Sequence, residues 1–273
     1  MKANELVPSK PQYSPLLRSY FLKYTAYVLR RSFHAIHIRG TAPSRLTDAQ
    51  GPLVVVLNHS SWWDLLIGGW LDAQLIGGES YGVMDAVQLR RYAIFKRMGV
   101  IGVDRSSIGG ASSFLREVSA LLKDMNRTLW ITPQGEICSS YFRPIIFQPG
   151  LAHLAAALGT FQYLHVAIQY EFCGERLPEA FVQFSVPRLM RMESLVSAKT
   201  WMRQAANDLE NDLDSLQSAV RVNARQEFST LLKGGGGTSP VYDLYRRINS
   251  RLRGEQFEPN HRDVATPHWR DRR

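Results

Sequence analysis

The amino-acid sequence predicts an α/β fold: a mixed, largely parallel sheet flanked by helices, with an N-terminal amphipathic helical region and a C-terminal helical extension. Three observations carry this prediction. The run Pro52-Leu53-Val54-Val55-Val56-Leu57 is continuously apolar, the pattern of a strand covered on both faces. After it, short strand-like runs alternate with helical ones as far as residue 186. Beyond that point, Trp201, Ala205, Leu209, Leu213, Leu216 and Val220 recur on one face of a long helix.

Taken in order, Leu17, Phe21, Tyr24 and Val28 recur at helical spacing between Pro15 and Arg31, with Leu16, Tyr20 and Tyr27 beside them and Arg18, Lys23, Arg30 and Arg31 supplying charge. Two readings stand side by side for this helix, an anchor lying in a membrane interface or a helix packed on the core. Phe33, Ile36 and Ile38 lead to Gly40 as a short strand and turn, and Pro52–Leu57 is the buried strand. A helix from Trp63 toward Leu75 ends at Gly77-Gly78. Tyr81–Met84 and Val100–Val103 read as strands on either side of a helical stretch Arg90–Met98. Ala111–Met125 is an amphipathic helix, Thr128–Thr132 a strand closed by Pro133, Leu151–Leu158 a helix opened by Pro149-Gly150, and Tyr163–Tyr170 and Ala180–Val186 two more strands. The long C-terminal helix is expected to continue toward Leu232 and break at Gly234–Gly237, followed by a short helical segment around Tyr242–Leu252 and an Arg-rich, apolar-poor tail. The chain is thus divided into an interface helix at 1–32, an α/β domain at 33–190, a helical extension at 191–233 and a linker with basic tail at 234–273.

The 273 residues are 45% hydrophobic, enough for a full core. Their 33 Lys and Arg against 24 Asp and Glu give a formal charge of +9, which favours a polyanionic partner. The sequence carries no zinc-finger spacing, RNP-like motif or basic-zipper pattern to give that charge a nucleic-acid reading function, so nucleic acid is not expected as a partner and an anionic lipid surface is. Cys138 and Cys173 are the only cysteines, which points away from a disulfide framework and from metal-ligand spacing. The N-terminus lacks the pattern of a secretion signal, and no stretch reaches the eighteen or so apolar residues a spanning helix needs. The expected location is peripheral, on the cytoplasmic side of a membrane.

The chemistry begins where the buried strand ends, at Asn58-His59-Ser60-Ser61-Trp62-Trp63-Asp64. His59 supplies a general base and Asp64, five positions on, a carboxylate able to orient it. A His–Asp pair at this spacing is common by chance; the preceding Val54–Leu57 run, Asn58 and the paired tryptophans are what single it out. Ser60 and Ser61 lack the Gly-x-Ser-x-Gly setting of an activated nucleophile.

Asn58, His59 and Asp64 complete an N-H-x-x-x-x-D block that resembles the first block of the glycerolipid acyltransferases, the family containing the 1-acylglycerol-3-phosphate acyltransferases. Gly99-Val100-Ile101-Gly102-Val103-Asp104-Arg105 is similar to the second block, which implies that Arg105 helps hold an acceptor phosphate. In Thr132-Pro133-Gln134-Gly135-Glu136-Ile137-Cys138 only Pro133 and Gly135 match the third block; Gln134 stands for Glu, Glu136 for Thr and Ile137 for an Arg that assists with that phosphate. Arg143 is near enough in sequence to compensate. Phe147–Gly150 followed by Leu164–Ile168 has the layout of a fourth block, with its usual proline missing near His165, which reads as a strand residue.

The resemblance, over Phe33–Tyr170, implies direct transfer of a fatty acyl group from an acyl thioester to the hydroxyl of a lipid acceptor, with His59 as general base and Asp64 fixing its tautomer. Asn58, Arg105, Gln134 and Gly135 are the expected substrate-binding residues, and backbone N–H groups near Gly135 the expected oxyanion donors. No cofactor is expected; acyl-CoA or acyl carrier protein is the donor substrate. The expected acceptor is lysophosphatidic acid or another lysophospholipid. The departures at 134–138 favour an alternative, a non-phosphate acceptor such as a glycosylated lipid or long-chain alcohol, or a non-catalytic lipid-binding protein of the same fold.

Overall fold

The computed structural model describes residues 13–43, 51–235 and 249–250. Helix α1 spans Pro15–Ser32; Ser14 caps it by accepting from the Leu17 N–H, and Pro15 opens it where a missing N–H costs nothing. The chain continues through strands β1 (Ala35–Arg39) and β2 (Leu53–Leu57), helix α2 (Trp63–Leu71), β3 (Glu79–Asp85), α3 (Ala86–Arg91) and β4 (Val100–Val103). Then follow α4 (Ile108–Leu121), β5 (Arg127–Ile131), α5 (Gly150–Leu158), β6 (Thr160–Glu171), β7 (Glu179–Phe184), β8 (Arg188–Arg191), α6 (Leu195–Arg221) and β9 (Phe228–Lys233).

The nine strands among the described residues join one sheet in the order β4-β3-β5-β2-β6-β7-β1-β9, with β8 also pairing β6. The run β4-β3-β5-β2-β6 is parallel throughout, so its carboxyl ends share one edge. β2 lies inside that run between β5 and β6, and all five of its residues are buried, as its unbroken apolar sequence requires. Its side chains alternate between two cores. Val54 and Val56 pack with α5 and α6, through Leu151, Trp201, Leu209 and Leu213. Leu53, Val55 and Leu57 pack with α1 and α2, through Leu29, Ile67 and Leu71. The helices thus cover both faces, and α4 adds Phe114 and Val118 against Ile101 and Leu129.

Helix α1 packs on the core along one side and exposes aromatic side chains along the other. Thr25 and Leu29 are buried, while Leu16, Tyr20, Tyr24 and Tyr27 stand exposed along the other side. A buried ion pair latches it down: Arg18 lies 2.9 Å from Asp72, which is fully buried and also accepts from the Trp130 indole N–H at 2.9 Å and the Ser80 hydroxyl at 2.6 Å. Asp72 begins a π-helical turn, Asp72–Ile76, that continues α2 until Gly77 ends it with a positive φ of 71°.

Two expectations are corrected. The long C-terminal helix does not run toward Leu232: α6 ends at Arg221, Asn223 turns left-handed at φ 56°, and Phe228–Lys233 becomes β9, antiparallel to β1 at the sheet edge. The stretch Arg90–Met98 is not one helix, since α3 stops at Arg91 and a separate 3₁₀ segment covers Ala93–Met98. The expected segment around 242–252 lies, apart from residues 249 and 250, outside the described residues, as do the tail and the glycine run beyond Gly235.

Candidate active site

The carboxyl ends of the five parallel strands deliver most of the residues singled out in the sequence, at the edge where ligands gather in such sheets. Asn58 and His59 follow β2. The Asn58 amide continues the β2–β6 ladder after the backbone leaves it, accepting the Ile168 N–H at 2.8 Å and donating to the Ile168 carbonyl at 3.0 Å. His59 is therefore held at a fixed distance from the strand end. Its own backbone is clamped from the other side by the loop after β5: the His59 N–H donates to the Gln134 side-chain oxygen at 2.7 Å, and the His59 carbonyl accepts the Cys138 N–H at 2.8 Å.

Asp64 sits in the first turn of α2, fully buried, where the helix N-terminus favours negative charge. One carboxylate oxygen, Oδ2, faces His59 Nδ1 at 2.9 Å and accepts the Ser60 and Ser61 N–H groups at 2.8 Å each. The other, Oδ1, accepts the Tyr170 hydroxyl at 2.6 Å. The Ser60 and Ser61 N–H groups can only donate, which makes Oδ2 an acceptor, so Nδ1 of His59 carries the hydrogen it shares with Asp64 and Nε2 carries the lone pair. Burial, then the charge and hydrogen bond of Asp64, hold the Tyr170 phenol well above its ordinary pKa, so it remains a donor. Tyr170 is braced by Phe33, which in turn stacks edge-on against Trp63 with ring centres 5.1 Å apart.

Residues 35–168, from the first residue of β1 to the partner of Asn58 on β6, match the Acyltransferase family. This domain belongs to the acyltransferase family. It is an enzyme domain that moves acyl groups. A comparison with curated proteins finds no match to the chain.

The acyltransferase domain brings Arg105 and Gly135 together. Arg105 follows β4 and donates to the Gly135 carbonyl; its other terminal nitrogen lies 3.8 Å from Asp85, the residue that ends β3 and caps α3. Gly135 has φ +80°, a backbone that favours glycine, and a Cβ there would sit 2.7 Å from the Arg105 guanidinium and 3.1 Å from the Gln148 side chain. Gln134 is buried, and Gln148 donates to its carbonyl at 3.3 Å.

One further expectation is narrowed and another corrected. Of the N–H groups near Gly135, that of Gly135 itself is taken by the Thr132 carbonyl at 3.1 Å, closing a turn, so it is not directed at an oxyanion. Arg143 does not compensate for Ile137: it reaches across to α6 and pairs with Asp214. His165 is a buried strand residue, bonded to Asp212 at 2.7 Å and to the Tyr163 hydroxyl at 3.1 Å. Sequence reasoning missed Tyr170. Its signal was available only as the far end of a strand parallel to β2, four residues beyond Val166, the partner of Leu57. Among the described residues, no group of three or more His, Cys, Asp or Glu side chains is placed to hold a metal ion.

An apolar groove opens beside Asp64 and runs between α1, α2 and the β3–β4 edge, past Leu65, Gly69, Met84, Phe95 and Val100. At Gly69 the wall is open: a Cβ there would meet nothing within 4 Å.

Proposed function

We propose that the protein transfers a fatty acyl group from an acyl thioester to the hydroxyl of a lipid acceptor at a membrane surface. The observation that carries the reading is the 2.9 Å contact between His59 Nδ1 and the Asp64 oxygen that also accepts two backbone N–H groups, which leaves Nε2 as the base. Nε2 takes the proton of the acceptor hydroxyl as its oxygen attacks the thioester carbonyl carbon. The resulting imidazolium is stabilised by Asp64. Collapse of the tetrahedral intermediate breaks the C–S bond, and the proton passes from Nε2 to the departing thiolate. Neither Ser60 nor Ser61 is needed as a nucleophile: the Ser61 hydroxyl accepts the Trp63 N–H, and the Ser60 hydroxyl faces the Asn58 amide.

In this reading Asn58, Gln134 and Tyr170 are positioning residues that act through His59 and Asp64. The groove beside Asp64 takes the acyl chain of the donor, CoA or acyl carrier protein being the thiol carrier. Leu16, Tyr20, Tyr24 and Tyr27, flanked by Lys23, Arg30 and Arg31, face the lipid headgroups, with the basic side chains meeting anionic lipid on the cytoplasmic leaflet. Among the described residues no helix is long and apolar enough to cross a membrane.

The test is acyl transfer by purified protein from a labelled acyl thioester to a lipid extract, with products read by mass. His59→Ala is expected to lose at least a thousandfold in rate with an unchanged far-ultraviolet spectrum; a fully active variant overturns the reading. For attachment, sedimentation with anionic liposomes is expected to weaken at least tenfold when Tyr20, Tyr24 and Tyr27 are replaced by Ser, and unchanged sedimentation refutes the α1 face.

A further inference from the structure

We infer that the acceptor used at this site is an uncharged lipid alcohol, without a phosphomonoester beside its reacting hydroxyl. The inference rests on the acyl-transfer reading and adds the class of its second substrate.

The loop that clamps His59, residues 132–143, forms the rim nearest the base, because it bonds the His59 backbone through both Gln134 and Cys138. Between those two contacts stand Glu136 and Ile137, both exposed. Burial, and then the Glu136 carboxylate, push the Cys138 thiol up, so the field of Glu136 reaches the residue bonded to the His59 carbonyl. A phosphate dianion here needs cations with free donors. Arg105 gives one N–H to the Gly135 carbonyl, and its charge is already set against Asp85 at 3.8 Å, a carboxylate fixed in place by its bonds to the Val87 and Gln88 N–H groups. Arg143 is the other guanidinium attached to this loop, and its five N–H bonds are all accounted for. Nε and Nη2 donate to Asp214, Nη1 donates to the Ser140 and Phe142 carbonyls at 2.8 Å each, and Nη2 reaches Gln217 at 3.5 Å.

Among the described residues of this rim, one half-exposed arginine therefore already lies beside the Asp85 carboxylate, and the exposed Glu136 on the clamping loop adds a second negative charge. Adding a dianion sets like charges against one another, whereas a hydroxylated, uncharged head meets hydrogen-bonding groups beside the exposed apolar side chains of Ile137, Tyr141 and Phe142.

A matched pair of ligands isolates the phosphate. Binding of 1-O-octylglycerol and 1-O-octylglycerol 3-phosphate to the full chain is measured by calorimetry at 0.15 M salt without donor, so no turnover intervenes. The uncharged ligand is expected to bind at least tenfold more tightly, and Ile137→Arg, which places a cation on the rim, is expected to shift that ratio at least tenfold toward the phosphate. Equal affinities, tighter binding of the phosphate, no binding of either ligand, or an Ile137→Arg ratio equal to that of the unaltered protein each overturn the proposal. Adding a labelled acyl thioester separates the two claims: a preference for the uncharged ligand with no acyl transfer to any acceptor supports the charge argument and overturns the acyl-transfer reading.

Discussion

Asp64→Asn tests the site with little change of shape, and the geometry dictates how the amide must sit. In the native protein Oδ2 accepts three times, from His59 Nδ1 and from the Ser60 and Ser61 N–H groups, while Oδ1 accepts only from Tyr170. An asparagine amide has one oxygen, and two backbone N–H groups that cannot rotate require it at the Oδ2 position. The NH₂ group then faces the Tyr170 hydroxyl, which turns to accept. His59 keeps its tautomer, and what disappears is the negative charge beside the imidazolium. Two unit charges about 4 Å apart interact by about 4 kcal/mol at an effective dielectric of 20. At about 1.4 kcal/mol per tenfold in rate, full loss of this interaction corresponds to roughly a thousandfold. Because the proton is only partly transferred in the transition state, kcat is expected to fall by about 100- to 1,000-fold, with KM nearly unchanged. Steady-state kinetics of purified wild-type and variant protein measure this, with near-ultraviolet circular dichroism confirming the same packing. A kcat within threefold of wild type in a folded variant refutes the role assigned to Asp64.

Three other perturbations probe different parts of the molecule. Gly69→Ile fills the open wall of the groove without a backbone clash, so activity with long acyl donors is expected to drop at least tenfold relative to short ones; an unchanged chain-length profile means the groove does not hold the acyl chain. Gly135→Ala places a Cβ 2.7 Å from the Arg105 guanidinium at a left-handed φ, and a cost of about 1–2 kcal/mol from the backbone alone is expected in urea unfolding, with a variant as stable as wild type excluding that strain. Arg18→Ala leaves Asp72 buried without its cation, a change that costs about 3–5 kcal/mol. Burial already raises the Asp72 pKa, against the opposing effects of Ser80, Trp130 and Arg18. A raised folded value means that the carboxyl's favourable contribution is present below the unfolded value near 3.8 and lost as pH rises through the folded one. The deficit of Arg18→Ala is therefore expected to be smallest in acid and to grow toward neutral pH, and a deficit independent of pH would show that Asp72 is not the group left exposed to the loss.

How much of this was legible in the sequence depended on whether the relevant partners are neighbours in the chain. β2 announces itself because burial on both faces demands an unbroken apolar run, and Asn58, His59 and Asp64 are readable because strand end, base and carboxylate fall within seven residues. Tyr170 belongs to the same hydrogen-bonded unit but is 106 residues from Asp64, and only the parallel register of β2 and β6 brings it there. Arg143 looked available for the same reason that Tyr170 was invisible, since its partner Asp214 is 71 residues away on α6. The missed β9 had a local cue: Asn223, a residue that tolerates a left-handed backbone, ends α6 just where the apolar spacing suggested continuity.

The third block shows why mismatches to a family pattern cannot be weighed by counting them. At position 134 the resemblance expects Glu and finds Gln, yet what that side chain gives the site is an oxygen accepting the His59 N–H at 2.7 Å, which either residue supplies. That exchange leaves the placement of the base intact. At 137, Ile stands where a cation is expected, on an exposed rim beside Glu136, and Arg143 is fully occupied elsewhere. That exchange changes the charge an acceptor meets. The two departures lie three residues apart in one loop, but in the proposed reading the first bears on the base and preserves its placement, whereas the second bears on the acceptor and alters the charge it meets. A protein that keeps the acyl-transfer step and changes its acceptor would carry this combination; one that had lost catalysis would have no need to preserve the hydrogen bonds that hold His59 and Asp64 in place.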